Sequence, residues 1–382
     1  MSRRWDVIVA GGGPAGSTAA RQLAGAGART LLLEKARHPR YKACGGGVPA
    51  RAVASLDRSI APVVEDVVQG IEVSHFGGRR FVKRSTDPLA YMVMRDRFDA
   101  LLLGWAGEAG VEVREGEAVQ DVDPGSGGVR VSTDRGVYEA AIVLGADGAA
   151  GRVARASGLG SGLAKSAAWE LEVTAPETAL RRWNGLVNVD VGYRPWGYGW
   201  VFPKAERLSI GLVLAPGRGR RIREQAQRYV AALGLAGAEV QEARGHPIRY
   251  RRGGERVAAG PVLLLGDAAG LADEFTAEGI SYAIESAELA STAVLAALGG
   301  AGEAAERYTR AIDRMIQPEL NAARAISRMY YWCVTTWPWL ALGTSKRVAY
   351  LWHALFRVMQ GRSTYQAELQ RIPGLALSAR VL

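Results

Sequence analysis

Residues 5–34 read WDVIVAGGGPAGSTAARQLAGAGARTLLLE, and the architecture of the chain can be worked out from them. Residues 6–10 form a short β-branched run that predicts a buried strand, and a glycine-rich loop follows directly. Residues 17–24 are good helix formers, and residues 30–33 predict a second buried strand that ends at Glu34. The order is therefore strand, glycine loop, helix, strand and acid.

Each residue type in this arrangement has a physical role. Gly11 permits a tight turn, Gly13 lets the backbone approach a pyrophosphate, and Gly16 lets the helix pack closely on the strand. The helix N-terminus presents free N–H groups and the positive end of its dipole to an anion. Glu34 is placed to accept hydrogen bonds from an adenosine ribose. The stretch predicts a dinucleotide site.

The glycine spacing alone is a weak signal. With 48 glycines in 382 residues, G-x-G-x-x-G is expected by chance about once in a chain of this composition. The strand before it, the helix after it and the acid beyond make the pattern specific. We therefore prefer a dinucleotide site to an ordinary glycine-rich turn.

Length and cysteine content narrow the class of protein. A chain of 382 residues is long enough for one large two-part domain or for two domains. Its two cysteines, Cys44 and Cys333, are far apart in sequence, which favours a reducing compartment over a disulfide framework. The first apolar run enters the glycine loop, so we do not interpret it as a signal peptide. We expect a cytoplasmic protein.

The net charge of +10 points to anionic partners. No finger, recognition helix or basic coiled coil favours nucleic acid, so a phosphorylated substrate or an anionic membrane surface is preferred. No stretch approaches the roughly 18 uninterrupted apolar residues of a spanning helix, and membrane contact would therefore be peripheral.

Between residues 35 and 156 the pattern alternates between helix and strand. Three glycines follow Cys44 in the loop at 35–48, which suits either close approach to a flat ligand or a flexible turn beside a buried thiol. Residues 95–109 have helical spacing. Short strands are predicted by the runs at 111–113, 118–122, 129–132, 137–138 and 141–144, the last of which leads to Asp147.

From residue 157 to about 260 the pattern changes to strands and turns. The run at 196–204 reads WGYGWVFPK, and in a strand Tyr198, Trp200 and Phe202 share one face. This aromatic wall suits an apolar ligand or a well-packed sheet. A further buried strand at 261–265 leads to Asp267, and a helix is predicted from 280 to 298.

The chain from about residue 301 is predicted to be helical, and it carries an unusual cluster of aromatic residues among basic ones. Tryptophan and tyrosine beside arginine and lysine suit a membrane interface. The same residues also suit a helical lid packed on the substrate domain, and both interpretations stay open. The aromatic residues are Tyr330, Tyr331, Trp332, Trp337, Trp339, Tyr350, Trp352 and Phe356, and the basic ones are Arg328, Lys346, Arg347 and Arg357.

In this order the motifs resemble the geranylgeranyl reductase family of flavoproteins, within the larger group that shares the p-hydroxybenzoate hydroxylase fold. The resemblance covers nearly the whole chain. Its specific parts are KACGGG at 42–47 and YGWVFPK at 198–204, because the other motifs fit a monooxygenase or a halogenase equally well. It implies a substrate cavity lined by Tyr198, Trp200 and Phe202.

The resemblance also implies that FAD is the cofactor and that no metal is bound. The FAD contacts carried over by motif are Gly11, Gly13, Ala15, Gly16, Glu34, Lys35, Cys44, Gly45, Gly47, Arg95, Val119, Asp147, Asp267, Gly279 and Ile280.

The implied fold class is α/β, with a Rossmann-type FAD-binding domain, an inserted α+β substrate domain and a helical C-terminal region. We place the FAD-binding domain at 1–156 and 261–300, the antiparallel-sheet substrate domain at 157–260 and the helical region at 301–382.

The chain departs from the family pattern at three positions. Glu274 stands at a proline position, Ala277 at a glycine position, and Gly151 where a serine is common. Glu274 would lie near the reactive edge of the flavin, so we take it as a candidate catalytic acid. The alternative is a helix-terminus charge worth about 0.3–1 kcal/mol.

The resemblance predicts a reductase that saturates isoprenoid carbon–carbon double bonds, with NADPH or a ferredoxin-type protein as electron donor. Cys44 is the candidate proton donor, since a free thiol with a pKa of about 8.5 is mostly protonated near neutrality. A flavin monooxygenase or halogenase is the alternative enzyme, and a flavin-dependent lipid-binding protein is the non-catalytic one.

Two arginine runs are candidate ligands for a diphosphate or a phospholipid head group, through charge-assisted hydrogen bonds. Solvated surface positions are the other interpretation. The runs are Arg218, Arg220, Arg221 and Arg223, and Arg249, Arg251 and Arg252.

Overall fold

The computed structural model describes residues 4–125, 127–193, 196–215 and 219–371. Its strands are β1 (Trp5–Ala10), β2 (Thr30–Glu34), β3 (Gly47–Pro49), β4 (Val64–Val68), β5 (Gly70–His75), β6 (Arg80–Arg84), β7 (Ala90–Val93), β8 (Glu112–Glu115), β9 (Val119–Gly125), β10 (Gly128–Thr133), β11 (Val137–Gly145), β12 (Ala164–Thr174), β13 (Leu186–Val191), β14 (Gly197–Pro203), β15 (Arg207–Leu214), β16 (Val240–Tyr250), β17 (Ala258–Ala259) and β18 (Val262–Leu264).

The helices are α1 (Pro14–Gly25), α2 (Ala50–Ala54), α3 (Arg95–Glu108), α4 (Val153–Ala156), α5 (Glu177–Trp183), α6 (Ile222–Ala232), α7 (Ile280–Leu298), α8 (Ala304–Ala311), α9 (Gln317–Thr336), α10 (Pro338–Arg347), α11 (Ala349–Met359) and α12 (Tyr365–Gln370). The helical C-terminal region is thus present as predicted, over the part of it that the structure describes.

The first sheet is the dinucleotide-binding sheet, in the order β17-β18-β11-β1-β2-β8. Its strands β18, β11, β1, β2 and β8 run parallel to one another. Strand β10 of the β9–β10 hairpin pairs antiparallel with the first half of β11. The helices α1 and α7 contribute side chains to the same buried core as β1, β2 and β11. Parallel strands buried on both faces are typical of an α/β fold, and they carry the continuous apolar runs that the sequence shows.

The second sheet has seven strands in the order β16-β12-β15-β14-β13-β5-β6. All its neighbours are antiparallel except β13 and β5. Two of its strands, β5 and β6, come from outside the interval 157–260 that we assigned to the substrate domain. A third, small sheet, β3-β7-β4, carries the end of the cysteine loop.

Two local predictions need correction. The runs at 137–138 and 141–144 form one continuous strand, β11, because its first half pairs with β10 and its second half with β1. The interval 157–260 also contains the helices α5 and α6, where we expected strands and turns only. Side chains of α6 pack on the buried face of β15, and that contact explains why the segment is helical.

Candidate active site

The dinucleotide loop is closed on one side and open on the other. Gly11 has φ +106°, and a Cβ there would lie 2.4 Å from the carbonyl oxygen of Ala146. A Cβ at Gly16 would lie 1.9 Å from the carbonyl oxygen of Gly11. At Gly13 the nearest atom to such a Cβ is 3.9 Å away, on Arg40. The loop therefore leaves room for a ligand at Gly13, at the N-terminus of α1.

Glu34 lies at the carboxyl end of β2 and is buried. Its Oε2 accepts a hydrogen bond from the N–H of Gly12 at 2.7 Å, and its Oε1 accepts one from Ala36 at 2.9 Å. A carboxylate has about four lone-pair sites, so capacity remains for a ribose. Lys35 next to it is exposed, and Val119 begins β9 with its side chain in the core.

The second flavin motif meets the first one. Gly266 has φ +52°, and a Cβ there would lie 3.4 Å from the Cβ of Ala15 in the dinucleotide loop. Asp267 faces the start of α7, since a Cβ at Gly279 would lie 3.3 Å from its Oδ1. Ile280, the first residue of α7, packs in the same apolar cluster as Cys44. The three motifs therefore converge.

A charged cluster lies beside this junction. The Nζ of Lys42 is 2.9 Å from the Nε2 of His246, which is 3.7 Å from the Oδ2 of Asp267. Burial raises the pKa of Asp267, but the neighbouring His246 ring and the charge of Lys42 outweigh it and lower the pKa to about 2. Burial lowers the pKa of Lys42, and Asp267 opposes that shift. Asp267 is thus an ionised acceptor, as a ribityl hydroxyl requires.

Arg95 is held by a bidentate ion pair. Its Nε and Nη2 each donate to one oxygen of Asp99 at 2.9 Å, and Asp99 is fully buried. Burial lowers the pKa of Arg95, but the charge of Asp99, together with the neighbouring Cys44 side chain, raises it overall. This pairing fixes the guanidinium next to Cys44. The FAD contact assigned to Arg95 stays a prediction.

Cys44 is half-buried, and its thiol is free. Its backbone N–H donates to the Oε2 of Glu170 on β12, and its Sγ accepts a hydrogen bond from Gly46 at 3.4 Å. Glu170 also accepts from the hydroxyls of Tyr41 at 3.3 Å and Ser209 at 3.1 Å. One buried carboxylate therefore ties the cysteine loop to the substrate sheet.

The three glycines after Cys44 are enclosed by the protein itself. A Cβ at Gly45 would lie 2.6 Å from the ring of Phe202, and one at Gly46 would lie 2.1 Å from the carbonyl oxygen of Val93. A Cβ at Gly47 would lie 3.2 Å from a methionine methyl group. Of the two interpretations of this loop, close approach to a flat ligand or a flexible turn, neither is tested at Gly45, where the structure shows a close approach to the aromatic strand.

The aromatic wall exists as predicted from strand alternation. The rings of Tyr198 and Trp200 are 6.3 Å apart, and those of Trp200 and Phe202 are 6.2 Å apart, along one face of β14. At the end of the strand, the Nζ of Lys204 donates to the carbonyl oxygen of Gly45 at 2.7 Å. The structure thus brings the cysteine loop and the wall into contact although about 150 residues separate them in sequence.

Two buried acids on β12 were not predicted from the sequence as residues of the site. Glu170 and Glu172 lie beside Lys204, and all three are almost fully buried. Burial raises the pKa of Glu172 to about 8, against the charge of Lys204. Burial therefore favours the protonated form of Glu172 more than it is favoured in a solvent-exposed glutamate. The available signal was two acids at alternate positions among the apolar residues Trp169, Leu171 and Val173, which places both acids on one face of the strand.

Glu274 is engaged in an ion pair. Its two oxygens accept from the Nε of Arg252 at 3.1 Å and from the Nη2 at 3.4 Å, and its carbonyl oxygen accepts from Ser327 on α9. These contacts join the loop before α7 to the C-terminal helices. The pairing favours our alternative interpretation of Glu274, as a structural charge, and its catalytic role stays a prediction.

The arginine runs have mostly structural contacts. Arg251 binds Asp313 at 2.8 Å, and Arg252 binds Glu274. Arg223 lies over the ring of Trp169 at 4.4 Å, and Arg220 and Arg221 are exposed. Arg218 lies outside the described residues. These contacts favour a structural interpretation, while Arg249, whose buried Nε has no hydrogen-bond partner among the described residues, remains a candidate ligand.

The structure shows what two departures from the family pattern mean for the backbone and for packing. Ala277 has φ +56°, a left-handed conformation in which glycine is favoured. At Gly151 a Cβ would lie 2.0 Å from the Oδ1 of Asp147. The other oxygen of Asp147 accepts hydrogen bonds from the N–H groups of Arg152 and Val153 at the start of α4. The carboxylate therefore occupies the space that a side chain at position 151 would need.

We expect Ala277→Gly to raise the free energy of unfolding by up to about 1 kcal/mol. A left-handed non-glycine residue costs about 1–2 kcal/mol, and the backbone entropy of glycine offsets about half of this. Thermal unfolding would show a higher midpoint. As a control, Ala301→Gly, at an exposed position without positive φ, should lower it. A lower midpoint for Ala277→Gly would contradict the strain.

The fold and the site define a class: a dinucleotide-binding flavoprotein whose second sheet carries an apolar wall over the cofactor loops. Residues 4–315 match the FAD binding domain family. The chain belongs to this family, and within it to the geranylgeranyl reductase family of FAD-dependent oxidoreductases. FAD is therefore its cofactor, in accordance with the open face at Gly13, the unused lone pairs of Glu34 and the ionised Asp267.

Two relatives illustrate the similarity. Geranylgeranyl diphosphate reductase of Synechocystis is 31% identical over 76% of this chain and 75% of its own length. Digeranylgeranylglycerophospholipid reductase 1 of Methanopyrus kandleri is 28% identical over 85% of this chain and 90% of its own.

Solved structures share the fold. A geranylgeranyl bacteriochlorophyll reductase-like protein of Thermoplasma acidophilum superimposes with a TM-score of 0.77 at 21% identity, over 99% of both chains. A flavin-dependent brominase superimposes with a TM-score of 0.76 at 17% identity, over 99% of this chain and 98% of its own. At these identities the likeness is one of fold alone.

Proposed function

We propose that this protein saturates carbon–carbon double bonds of a geranylgeranyl-type isoprenoid. The observation that carries the proposal is the contact between the Cys44 loop and the aromatic wall, at the point where the two flavin motifs meet. The names of the two relatives supply the substrate class, a diphosphate in one and a glycerophospholipid in the other. An apolar wall can bind a hydrocarbon chain, and the thiol beside it can react with a substrate whose only reactive group is an alkene.

The residues of the two motifs would hold FAD. The loop at Gly13 and the N-terminus of α1 would bind the pyrophosphate, Glu34 the ribose and Asp267 the ribityl chain. Bound and reduced, FAD supplies a hydride to one carbon of the double bond. The other carbon then requires a proton from the protein.

Cys44 would provide that proton. Its S–H bond breaks as a C–H bond forms, and the thiolate that remains lies next to the guanidinium of Arg95, which stabilises its charge. The hydrogen bond from Gly46 to Sγ acts in the same direction. Glu170 keeps the loop in place through the backbone of Cys44. The thiolate would regain its proton from solvent or from a neighbouring acid such as Glu172.

Tyr198, Trp200 and Phe202 would form one wall of the prenyl slot. The wall is rigid, because the hydroxyl of Tyr198 donates to the carbonyl oxygen of Thr276 and the indole N–H of Trp200 donates to Ser209 at 3.4 Å. A rigid wall positions a flexible chain at a low entropic cost. The electrons would come from NADPH or from a ferredoxin-type protein.

The test is anaerobic. The purified protein is reduced, a geranylgeranyl compound is added, and flavin absorbance and lipid mass are followed together. Reoxidation with a gain of about two mass units for each bond reduced would support the reductase. A flavin that stays reduced until oxygen is admitted would favour the monooxygenase or halogenase. The flavin-dependent brominase has the same fold as this chain.

A further inference from the structure

The C-terminal helices present apolar side chains to solvent at one corner of the molecule. The exposed fractions are 55% for Trp332, 51% for Trp337, 58% for Trp339 and 68% for Leu340. These residues lie at the end of α9 and the start of α10, and the rings of Trp332 and Trp337 are 4.8 Å apart. Exposed tryptophans gathered on one turn are uncommon on a soluble surface and mark an interaction site.

A second segment extends this corner. The tip between β5 and β6 carries Phe76, which is 56% exposed, and Arg79, whose guanidinium lies 4.7 Å from the ring centre of Trp339. The ring of His75 lies 5.4 Å from the same tryptophan. We call these seven residues the docking face: His75, Phe76, Arg79, Trp332, Trp337, Trp339 and Leu340.

The part of the sequence that contains the tryptophans of the docking face carries basic residues and no acidic ones. Between Glu319 and Glu368 the sequence contains no acidic residue. The same interval contains the basic residues Arg324, Arg328, Lys346, Arg347, Arg357 and Arg362. Arg328, Lys346 and Arg347 are exposed. Of these residues, Arg357 and Arg362 form ion pairs with Glu368 at 2.7 Å and with Asp87 at 2.9 Å. A surface that combines tryptophan with the exposed cations of Arg328, Lys346 and Arg347 is complementary to the head-group region of an anionic bilayer.

The inner side of the same corner faces the proposed substrate site. Tyr331, Val334 and Leu342 are buried in one cluster with Tyr198 and Trp200 of the aromatic wall. The docking face and the wall are thus separated by a single helical layer, which is about 10 Å thick. No helix within the described residues is long and apolar enough to cross a bilayer, so any attachment through these helices would lie in the interface.

We infer that the docking face inserts its tryptophans and Leu340 into the head-group region of an anionic membrane, with Lys346 and Arg347 bound to the lipid phosphates. The attachment would be reversible, since it depends on a few side chains and on charge. Its purpose rests on the proposed function: a prenyl lipid would then reach the aromatic wall without crossing water.

The experiment is co-sedimentation of the FAD-loaded protein with vesicles of phosphatidylcholine, with and without phosphatidylglycerol. We expect binding to the anionic vesicles that weakens as salt is added. Leu340→Asp should reduce the partition constant at least about tenfold, through the loss of a buried leucine. The matched control is Val137→Asp on β11, which is 61% exposed and lies outside the docking face.

A second variant separates charge from apolar contact. Lys346→Ser with Arg347→Ser should weaken binding to anionic vesicles about thirtyfold, about fivefold for each basic residue, and leave binding to neutral vesicles unchanged. Turnover of a detergent-dispersed geranylgeranyl compound should be the same in all variants, which separates this inference from the proposed function. Equal vesicle binding by Leu340→Asp and the parent protein would overturn the inference.

Self-association is the competing use of an apolar face. Sedimentation velocity without lipid distinguishes it, because a dimer that Leu340→Asp converts into monomers would assign the face to a second copy of the chain and overturn the membrane inference. A monomer at all concentrations, together with vesicle binding, would support it.

Discussion

Replacing Cys44 by alanine is expected to lower the rate of alkene reduction by about 10² to 10⁴, the usual contribution of a positioned proton donor. Hydride transfer to one carbon leaves a negative charge on the other, and a positioned thiol would protonate that carbon faster than solvent does. The readout is the anaerobic reoxidation rate of reduced flavin after a prenyl substrate is added. Bound FAD, measured by absorbance, should not change.

The second cysteine supplies a matched control. Cys333 lies on α9 and is half-buried like Cys44, but it is outside the cluster of flavin motifs, so Cys333→Ala should retain the parent rate. Cys44→Ser should be nearly as slow as Cys44→Ala, since a hydroxyl gives up its proton far less readily than a thiol. Full turnover by Cys44→Ala with FAD bound would remove Cys44 from the mechanism, and Glu274 and Glu172 would become the acids to test.

Gly16→Ala is expected to abolish FAD binding. The added Cβ would lie 1.9 Å from the carbonyl oxygen of Gly11 and 3.1 Å from the Cβ of Ala146, so α1 must move away from β1. Overpacking of this kind costs about 1–3 kcal/mol, and here it also displaces the N–H groups that would bind the pyrophosphate. The measurements are the flavin content of the purified protein and its thermal midpoint with and without added FAD.

The same helix offers the control for this variant. Gly25 is the last residue of α1 and, its two chain neighbours and the helix backbone aside, a Cβ there would lie more than 4 Å from the atoms that the structure describes. Gly25→Ala should bind FAD normally and unfold at the parent temperature or slightly above it, because alanine is preferred to glycine by about 0.5–1 kcal/mol in a helix. If Gly16→Ala also bound FAD with parent affinity, the assignment of this loop to the pyrophosphate would fail.

The hydrophobic periodicity and the turn residues of the sequence predicted several strands and helices of the first sheet close to their observed bounds. The helix at 280–298 was predicted with its observed bounds, and the strands at 6–10 and 30–33 were each extended by one residue. These elements are long, buried and bounded by glycine turns, so propensity, periodicity and capping agree in them. The aromatic face of β14 followed in the same way, from strict alternation.

Other features depended on contacts distant in sequence. Strands β5 and β6 joined the second sheet because β5 pairs in parallel with β13, more than 100 residues away, and no local pattern encodes that register. Glu274 looked like an acid near the flavin, and only its position in space reveals Arg252 as its partner. The docking face likewise combines a hairpin tip with a helical corner.

The amino-acid sequence alone was enough for the cofactor loop, the aromatic strand and the family, because each is a short motif whose function depends on residue type at fixed spacing. The assembly of these motifs was settled by folding. Glu170 binds the backbone of Cys44, and Lys204 binds Gly45. Positions 45 and 46 have no space for a side chain, because a Cβ there would lie 2.6 Å from the ring of Phe202 and 2.1 Å from the carbonyl oxygen of Val93. The contacts of Glu170 with Cys44 and of Lys204 with Gly45 join residues more than 100 positions apart, so packing in three dimensions decides which of them meet.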